Sequence, residues 1–185
     1  MSARPWQPER KDWVKILRAV LSVGFWTGRS TTHPGYTWYL ERVDEAVRRA
    51  MQSSGHERVD IVAHSAGGWL ARAYMGGALD GAVNGGHGIL SSNGTLDPKV
   101  RRLVTLGAPH IEPPAGANDA TRGALKWVNN QWPGAHYGDG AGVSYTCVTG
   151  RTVRGTGGVK AQGTLAGYAS NSYRVGSVQV EPNPG

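Results

Sequence analysis

The sequence has very little cysteine and no long apolar run, and both absences exclude classes of protein. It contains one cysteine among 185 residues. A single cysteine excludes a disulfide framework within the chain and a zinc site built from several cysteines. No stretch approaches the roughly 18 uncharged apolar residues of a membrane-spanning helix. Cys147 lies in the apolar run 143–148, which predicts a buried structural thiol.

The length and composition predict one folded domain. Apolar residues make up 39% of the chain, which is enough to form a core. The first residues lack the short apolar core of a signal peptide, so we expect an intracellular soluble protein. The start of the chain contains arginine and few acids, which leaves a transit peptide and a plastid location open.

The net charge of +7 is spread thinly along the chain. Residues 1–60 hold ten Lys and Arg against seven Asp and Glu, residues 61–120 hold four of each, and residues 121–185 hold six against two. A nucleic-acid-binding protein concentrates its basic residues on one face. We therefore expect no nucleic-acid partner, and a basic binding module is the least favoured hypothesis.

Hydrophobic periodicity predicts alternating helices and strands. The predicted helices are 12–23, a second containing Leu40 to Ala50 that stops near Gly55, 67–75 and 119–131, and the predicted strands are 59–63, 103–106 and 143–149. Residues 76–94 form a glycine-rich insertion. This order predicts an α/β fold in which crossover helices join parallel strands in a sandwich of three layers.

Two aromatic or amphipathic features each have two interpretations. The helix 12–23 is expected to pack on the sheet, and contact with a membrane surface is the alternative. Trp127, Trp132 and Tyr137 are expected to pack in the core or at its rim, and lining a lipid pocket is the alternative.

The segment Ala63-His64-Ser65-Ala66-Gly67 fits the nucleophile elbow G-x-S-x-G, with alanine in the first position. A serine between a strand and a helix is forced into a strained turn that exposes its hydroxyl, and only small neighbours allow so sharp a bend. This predicts Ser65 as the catalytic nucleophile. The backbone amide of Ala66, at the positive end of the following helix, is the expected oxyanion donor.

The neighbours of Ser65 have predicted roles as well. Gly67 and Gly68 are expected to let the helix pack close to the strand. His64 precedes the nucleophile, and adjacent side chains diverge at an elbow. We therefore expect His64 to line the pocket or to form a local hydrogen bond.

Three segments, 59–72, 103–110 and 38–47, resemble the α/β-hydrolases of the lipase and esterase type. Together they are most similar to the lipase-like proteins grouped with the GPI inositol-deacylase (PGAP-type) hydrolase domain. The resemblance covers the core 36–174 of a single domain, 1–185. It implies hydrolysis of a lipid or another small-molecule ester. This chemistry needs no metal or other cofactor, and no ligand cluster indicates one.

An α/β-hydrolase places its triad in the chain order serine, acid, histidine. The family has its acid after a late strand and its histidine near the C-terminus. After the predicted strand 143–149 the sequence contains only Glu181 and no histidine. A glycine-rich oxyanion loop does not precede Trp38 either. By the resemblance, we expect an incomplete domain that begins after the oxyanion loop and stops before the acid and the base.

Three histidines follow Ser65: His87, His110 and His136. His110 lies in a strand-end feature of the family, which favours a local structural role over that of the general base. His136 fits the triad order with Asp119 only in a rearranged fold, and His87 is expected to be solvated. Two main hypotheses therefore stay open: an active serine hydrolase and a truncated or degenerate homologue without activity.

Overall fold

Three parallel strands form the sheet of the computed structural model, which describes residues 14–79, 99–112, 119–132 and 143–150. The strands are β1 (Val59–His64), β2 (Val100–Leu106) and β3 (Ser144–Val148), and they lie side by side in that order. Ala63 lies opposite Thr105, which in turn lies opposite Cys147. The predicted parallel sheet is confirmed.

The helices are, in chain order, α1 (Leu17–Val20), α2 (Val23–Thr27), α3 (Thr37–Ser54), α4 (Ala66–Met75) and α5 (Ala124–Gln131). A turn of 3₁₀ helix, Val14–Ile16, precedes α1. Helix α4 connects β1 to β2 and α5 connects β2 to β3, as crossover connections between parallel strands require. Residues 80–94 of the predicted glycine-rich insertion lie outside the described residues.

The described helices cover one face of the sheet. Side chains alternate between the faces of a strand, and the face that carries Ala63 and Thr105 is buried. On the other face, the side chain of Val62 is 67% exposed. Of the three predicted layers, the described residues therefore supply the sheet and one layer of helices.

Helix α3 ends where its sequence predicts. Gly55 adopts a left-handed conformation with φ of 70°, and its N–H donates to the carbonyl oxygen of Met51 at 2.9 Å. Asp44 accepts a hydrogen bond from Arg48 at 2.7 Å on one carboxylate oxygen and from the Tyr74 hydroxyl at 3.0 Å on the other. The carboxylate therefore joins α3 to α4.

The prediction of one helix over 12–23 that packs on the sheet is wrong for the described part of that range. The Ser22 hydroxyl accepts a hydrogen bond from the Phe25 N–H at 3.3 Å, which starts a new helix and divides the segment into α1 and α2. The side chains of Leu17 and Leu21 are 59% and 87% exposed, so they do not pack on the sheet.

Helix α4 is buried on all sides, since every residue from Gly67 to Met75 is buried. The guanidinium of Arg72 lies in this core and donates to the carbonyl oxygens of His110 at 3.3 Å and Trp132 at 3.0 Å. Trp132 is 2% exposed, and its ring meets that of Trp127 edge to face at 5.5 Å. The expected packing of Trp132 in the core and of Trp127 at its rim is confirmed, and Tyr137 lies outside the described residues.

We expect Gly68→Ala to lower the free energy of unfolding by about 1–3 kcal/mol, because overpacking a rigid contact displaces the backbone. A methyl carbon at residue 68 would lie 2.4 Å from the methyl carbon of Ala108 and 3.2 Å from Cγ2 of Thr105. Urea unfolding measures this loss.

Gly67→Ala is the matched control, because it makes the same chemical change one residue earlier in α4. Its new methyl would meet the Tyr39 hydroxyl at 3.0 Å, at the end of a side chain that can move. A smaller loss is therefore expected for Gly67→Ala, and equal losses in both variants would contradict the account of the packing.

Candidate active site

Ser65 occupies the turn between β1 and α4 in a conformation that side-chain-bearing residues rarely adopt. Its φ is 54° and its ψ is −129°. Such backbone conformations cost about 1–3 kcal/mol and persist only where the surrounding structure enforces them. The residue is exposed to solvent, which is the arrangement that a nucleophile elbow requires.

Hydrogen bonds on both sides of Ser65 hold the turn. The N–H of Ser65 donates to the carbonyl oxygen of Leu106 in β2 at 3.1 Å. The carbonyl oxygen of Ser65 accepts from the N–H of Gly68 at 3.1 Å. The turn is therefore anchored to the neighbouring strand at one peptide group and to the first turn of α4 at the other.

Small residues allow α4 to begin close to the sheet. A side chain at Gly67 would meet the Tyr39 hydroxyl at 3.0 Å and the methyl group of Ala63 at 3.6 Å. Burial raises the pKa of Tyr39, because the phenolate form loses its hydration there. No chemical motif in the sequence marks Tyr39, whose position beside the elbow depends on how α3 packs against α4.

The first turn of α4 presents a positive end toward the Ser65 turn. Ala66 is the first residue of this helix, and no acidic residue lies in its first turn. The first N–H groups of a helix have no partner within the helix, and they lie at the positive end of its dipole. The Ala66 N–H therefore belongs to a set of donors that can stabilise a negative charge placed at this end of the helix.

His64 lies beside Ser65 but on the other face of the sheet from Ala63. It is the last residue of β1, opposite Leu106 of β2, and its side chain is exposed. None of the described residues forms a hydrogen bond with its ring. A role for His64 in lining a pocket stays a prediction.

His110 is bound to the sheet next to β2. Its Nε2 lies 3.0 Å from the hydroxyl of Thr105 and 3.7 Å from the thiol of Cys147. Its backbone carbonyl accepts the hydrogen bond from Arg72. These contacts agree with the local structural role expected for His110.

The expectation of a buried Cys147 is wrong, because this side chain is exposed. Cys147 lies on β3, which pairs within the described residues with β2 alone. An apolar run in sequence indicates burial only when the strand has neighbours over its faces and at its edges. The described helices pack chiefly against β1, β2 and one another, which leaves the end of β3 open.

Asp119 organises the turn before α5. Its carboxylate accepts hydrogen bonds from the N–H and hydroxyl of Thr121 at 2.8 and 2.7 Å, and from the N–H of Gly123 at 2.7 Å. The possible partner His136 lies outside the described residues, as do His87 and Glu181. Within the described ranges, no side chain forms a hydrogen bond with the Ser65 hydroxyl, and no three metal-binding side chains come together.

A cavity of about 180 Å³ lies between the segment that precedes α3 and the turn that precedes α5. Ser30, Thr31, Tyr36 and Thr121 are among its lining residues, and Ser65 is not. The Tyr36 ring packs edge to face on Trp69 at 5.1 Å. Burial, together with the negative charge of Asp119, raises the pKa of Tyr36.

Comparison with known proteins gives one match. Residues 27–141 match the family described as the alpha/beta hydrolase fold, which is well over half of the chain. The matched range contains β1, the Ser65 turn, α4, β2 and α5. No curated protein and no solved structure matches the sequence significantly.

The strained backbone at Ser65 predicts that glycine at this position gives a more stable protein than alanine does. Relative to Ser65→Ala, we expect Ser65→Gly to raise the free energy of unfolding by roughly 0.5–2 kcal/mol. Glycine relieves a strain of about 1–3 kcal/mol and restores about 0.5–1 kcal/mol of chain entropy to the unfolded state. Alanine keeps the β-carbon and hence the strain.

Chemical denaturation of the two variants measures the difference. Both lack the hydroxyl, so its loss cancels in the comparison. A Ser65→Gly protein that is less stable than Ser65→Ala would show that the turn is not strained.

Proposed function

We propose that this chain, which belongs to the α/β-hydrolase fold family, is a serine hydrolase that cleaves ester bonds with Ser65 as its nucleophile. The observation that carries the proposal is the backbone of Ser65, with φ of 54° at an exposed turn between β1 and α4. Such strain is retained at functional sites, where the surrounding structure stabilises it. A turn that served only to connect β1 to α4 would be less strained with glycine.

The proposed reaction begins with attack of the Ser65 hydroxyl oxygen on the carbonyl carbon of the ester. The hydroxyl proton passes to a general base, and the carbonyl oxygen becomes an oxyanion. The Ala66 amide, at the positive end of α4, donates a hydrogen bond to that oxyanion. Collapse of the intermediate releases the alcohol with the returned proton, and water then hydrolyses the acyl-serine.

The substrate that we propose is a lipid or another acyl ester. Support comes from the resemblance of residues 38–47, 59–72 and 103–110 to the lipase and esterase type, and in particular to the GPI inositol-deacylase group. The position of the Ala66 amide at the positive end of α4 favours a substrate whose reaction develops negative charge on one oxygen. Esters of this kind react without a metal or redox cofactor.

A catalytically incompetent homologue is the second candidate, and one observation favours it. A serine hydrolase needs a histidine on its serine. The imidazole of His110, which follows β2, is instead directed at Thr105 and Cys147. Oxyanion stabilisation without the base retains only a small part of the rate enhancement.

A fluorophosphonate probe distinguishes these candidates. We expect the folded chain to form one adduct, on Ser65, because the probe's phosphorus is attacked by an activated serine and fluoride leaves. Peptide mass spectrometry locates the adduct. Ser65→Ala should abolish it, and Ser54→Ala, which removes another exposed serine hydroxyl, should leave it unchanged.

Absence of any adduct in folded protein would overturn the proposal of an active nucleophile. Turnover of p-nitrophenyl esters that disappears in Ser65→Ala would exclude the incompetent homologue. The labelling rates of His87→Ala, His110→Ala and His136→Ala proteins then show which of these histidines acts as the base.

A further inference from the structure

The segment before α3 exposes a cluster of large apolar side chains. Five residues form this apolar patch: Val14 (60% exposed), Leu17 (59%), Leu21 (87%), Val23 (79%) and Trp26 (71%). These five side chains lie within 13 positions of the chain. Large patches of exposed apolar surface mark interaction sites. Scattered exposed apolar residues need no such explanation.

Contacts on the inner side of the segment fix its orientation. The guanidinium of Arg122 lies over the Phe25 ring at 5.3 Å, and the Lys15 ammonium lies over the Trp38 ring at 5.8 Å. The N–H of Ser30 donates to the carbonyl oxygen of Arg122 at 2.8 Å. Because the segment is held to the body of the protein at these points, the apolar patch faces outward.

The charge of the same segment is of one sign. Residues 13–40 contain Lys15, Arg18 and Arg29 and no Asp or Glu. Lys15 and Arg29 are exposed. Segments that bind at the interface of an anionic bilayer typically combine Trp and Leu side chains with basic residues.

Charge also disfavours a second copy of the chain as the partner. Pairing two patches face to face would bring together two segments that each carry three cations and no acid. An anionic lipid surface satisfies both the apolar and the basic side chains. None of the helices among the described residues has the length and apolar character needed to cross a membrane.

The segment approaches α3 from the end of the sheet at which Ser65 lies. Helices α3 and α4 begin side by side, as shown by the Tyr36 ring on Trp69 at 5.1 Å and by the Tyr39 hydroxyl next to Gly67. Farther along, Asp44 meets Tyr74, so the helices run in the same direction. A bilayer at the apolar patch would therefore lie toward the Ser65 end of the fold.

We infer that the apolar patch docks this protein on the surface of an anionic lipid bilayer. The apolar side chains enter the headgroup region, and the exposed side chain of Arg29 contacts the lipid phosphates. Docking itself does not depend on hydrolysis. Its consequence, that the ester cleaved at Ser65 is a bilayer lipid, rests on the proposed function.

Vesicle flotation tests the docking with the purified chain of residues 1–185. We expect co-flotation with phosphatidylcholine vesicles that contain about 30% phosphatidylserine, weaker binding to pure phosphatidylcholine, and weakening by salt. The double variant Leu21→Asp, Trp26→Asp should reduce binding about tenfold or more, because it places two anions in the patch. Circular dichroism checks that this variant remains folded.

The matched control is Gln52→Glu with Asn130→Asp, which adds the same charge at two exposed positions outside the patch. It should retain most of the binding. Equal losses of vesicle binding in both double variants would show that net charge alone determines the binding. Absence of flotation, or a dimer that dissociates in Leu21→Asp, Trp26→Asp without any vesicle binding, would overturn the inference.

Ser65→Ala separates docking from the proposed function. We expect it to bind vesicles as the natural chain does while releasing no fatty acid from them. Binding without release by the natural chain would support docking and count against Ser65 as a lipid hydrolase. Release of fatty acid without flotation would support Ser65 as a lipid hydrolase and count against docking.

Discussion

The backbone of Ser65 adopts a conformation that side-chain-bearing residues avoid, and the surrounding elements enforce it. One peptide group of the turn is bonded to β2 and another to the first turn of α4. The close approach of α4 depends on the contact of Gly68 with Thr105 and Ala108, which no larger residue would allow. Strain at one residue is thus stabilised by the packing of a whole helix on the sheet.

Burial of α4 on all sides extends this constraint to the rest of the described fold. Arg72 projects from α4 and bonds the carbonyl groups of His110 and Trp132, which lie on the segments that follow β2 and α5. Asp44 of α3 bonds the hydroxyl of Tyr74 at the far end of α4. Because α4 is tied to each of these elements, the position of Ser65 and the Ala66 amide is set by the core, as electrostatic preorganisation requires.

The sequence predicted the parts of the fold that are determined by residues adjacent in the chain. Small residues around Ser65 indicated the turn, Gly55 marked the end of α3, and β-branched runs marked the strands. The break between α1 and α2 was missed, since it depends on one hydrogen bond from Phe25 to Ser22 within an otherwise helical pattern. The exposure of Cys147 was missed because burial of a strand depends on its neighbours in space. The buried position of Arg72 likewise follows from tertiary packing, which periodicity does not encode.

We propose that the strained turn at Ser65 presents a nucleophilic hydroxyl to the positive end of α4. A crystal structure of the chain after reaction with a fluorophosphonate tests this claim most directly. We predict a covalent bond from Ser65 to phosphorus, φ of Ser65 still positive, and a phosphonyl oxygen within hydrogen-bond distance of the Ala66 nitrogen. A Ser65 with negative φ, or an adduct whose oxygens all point away from α4, would contradict the account.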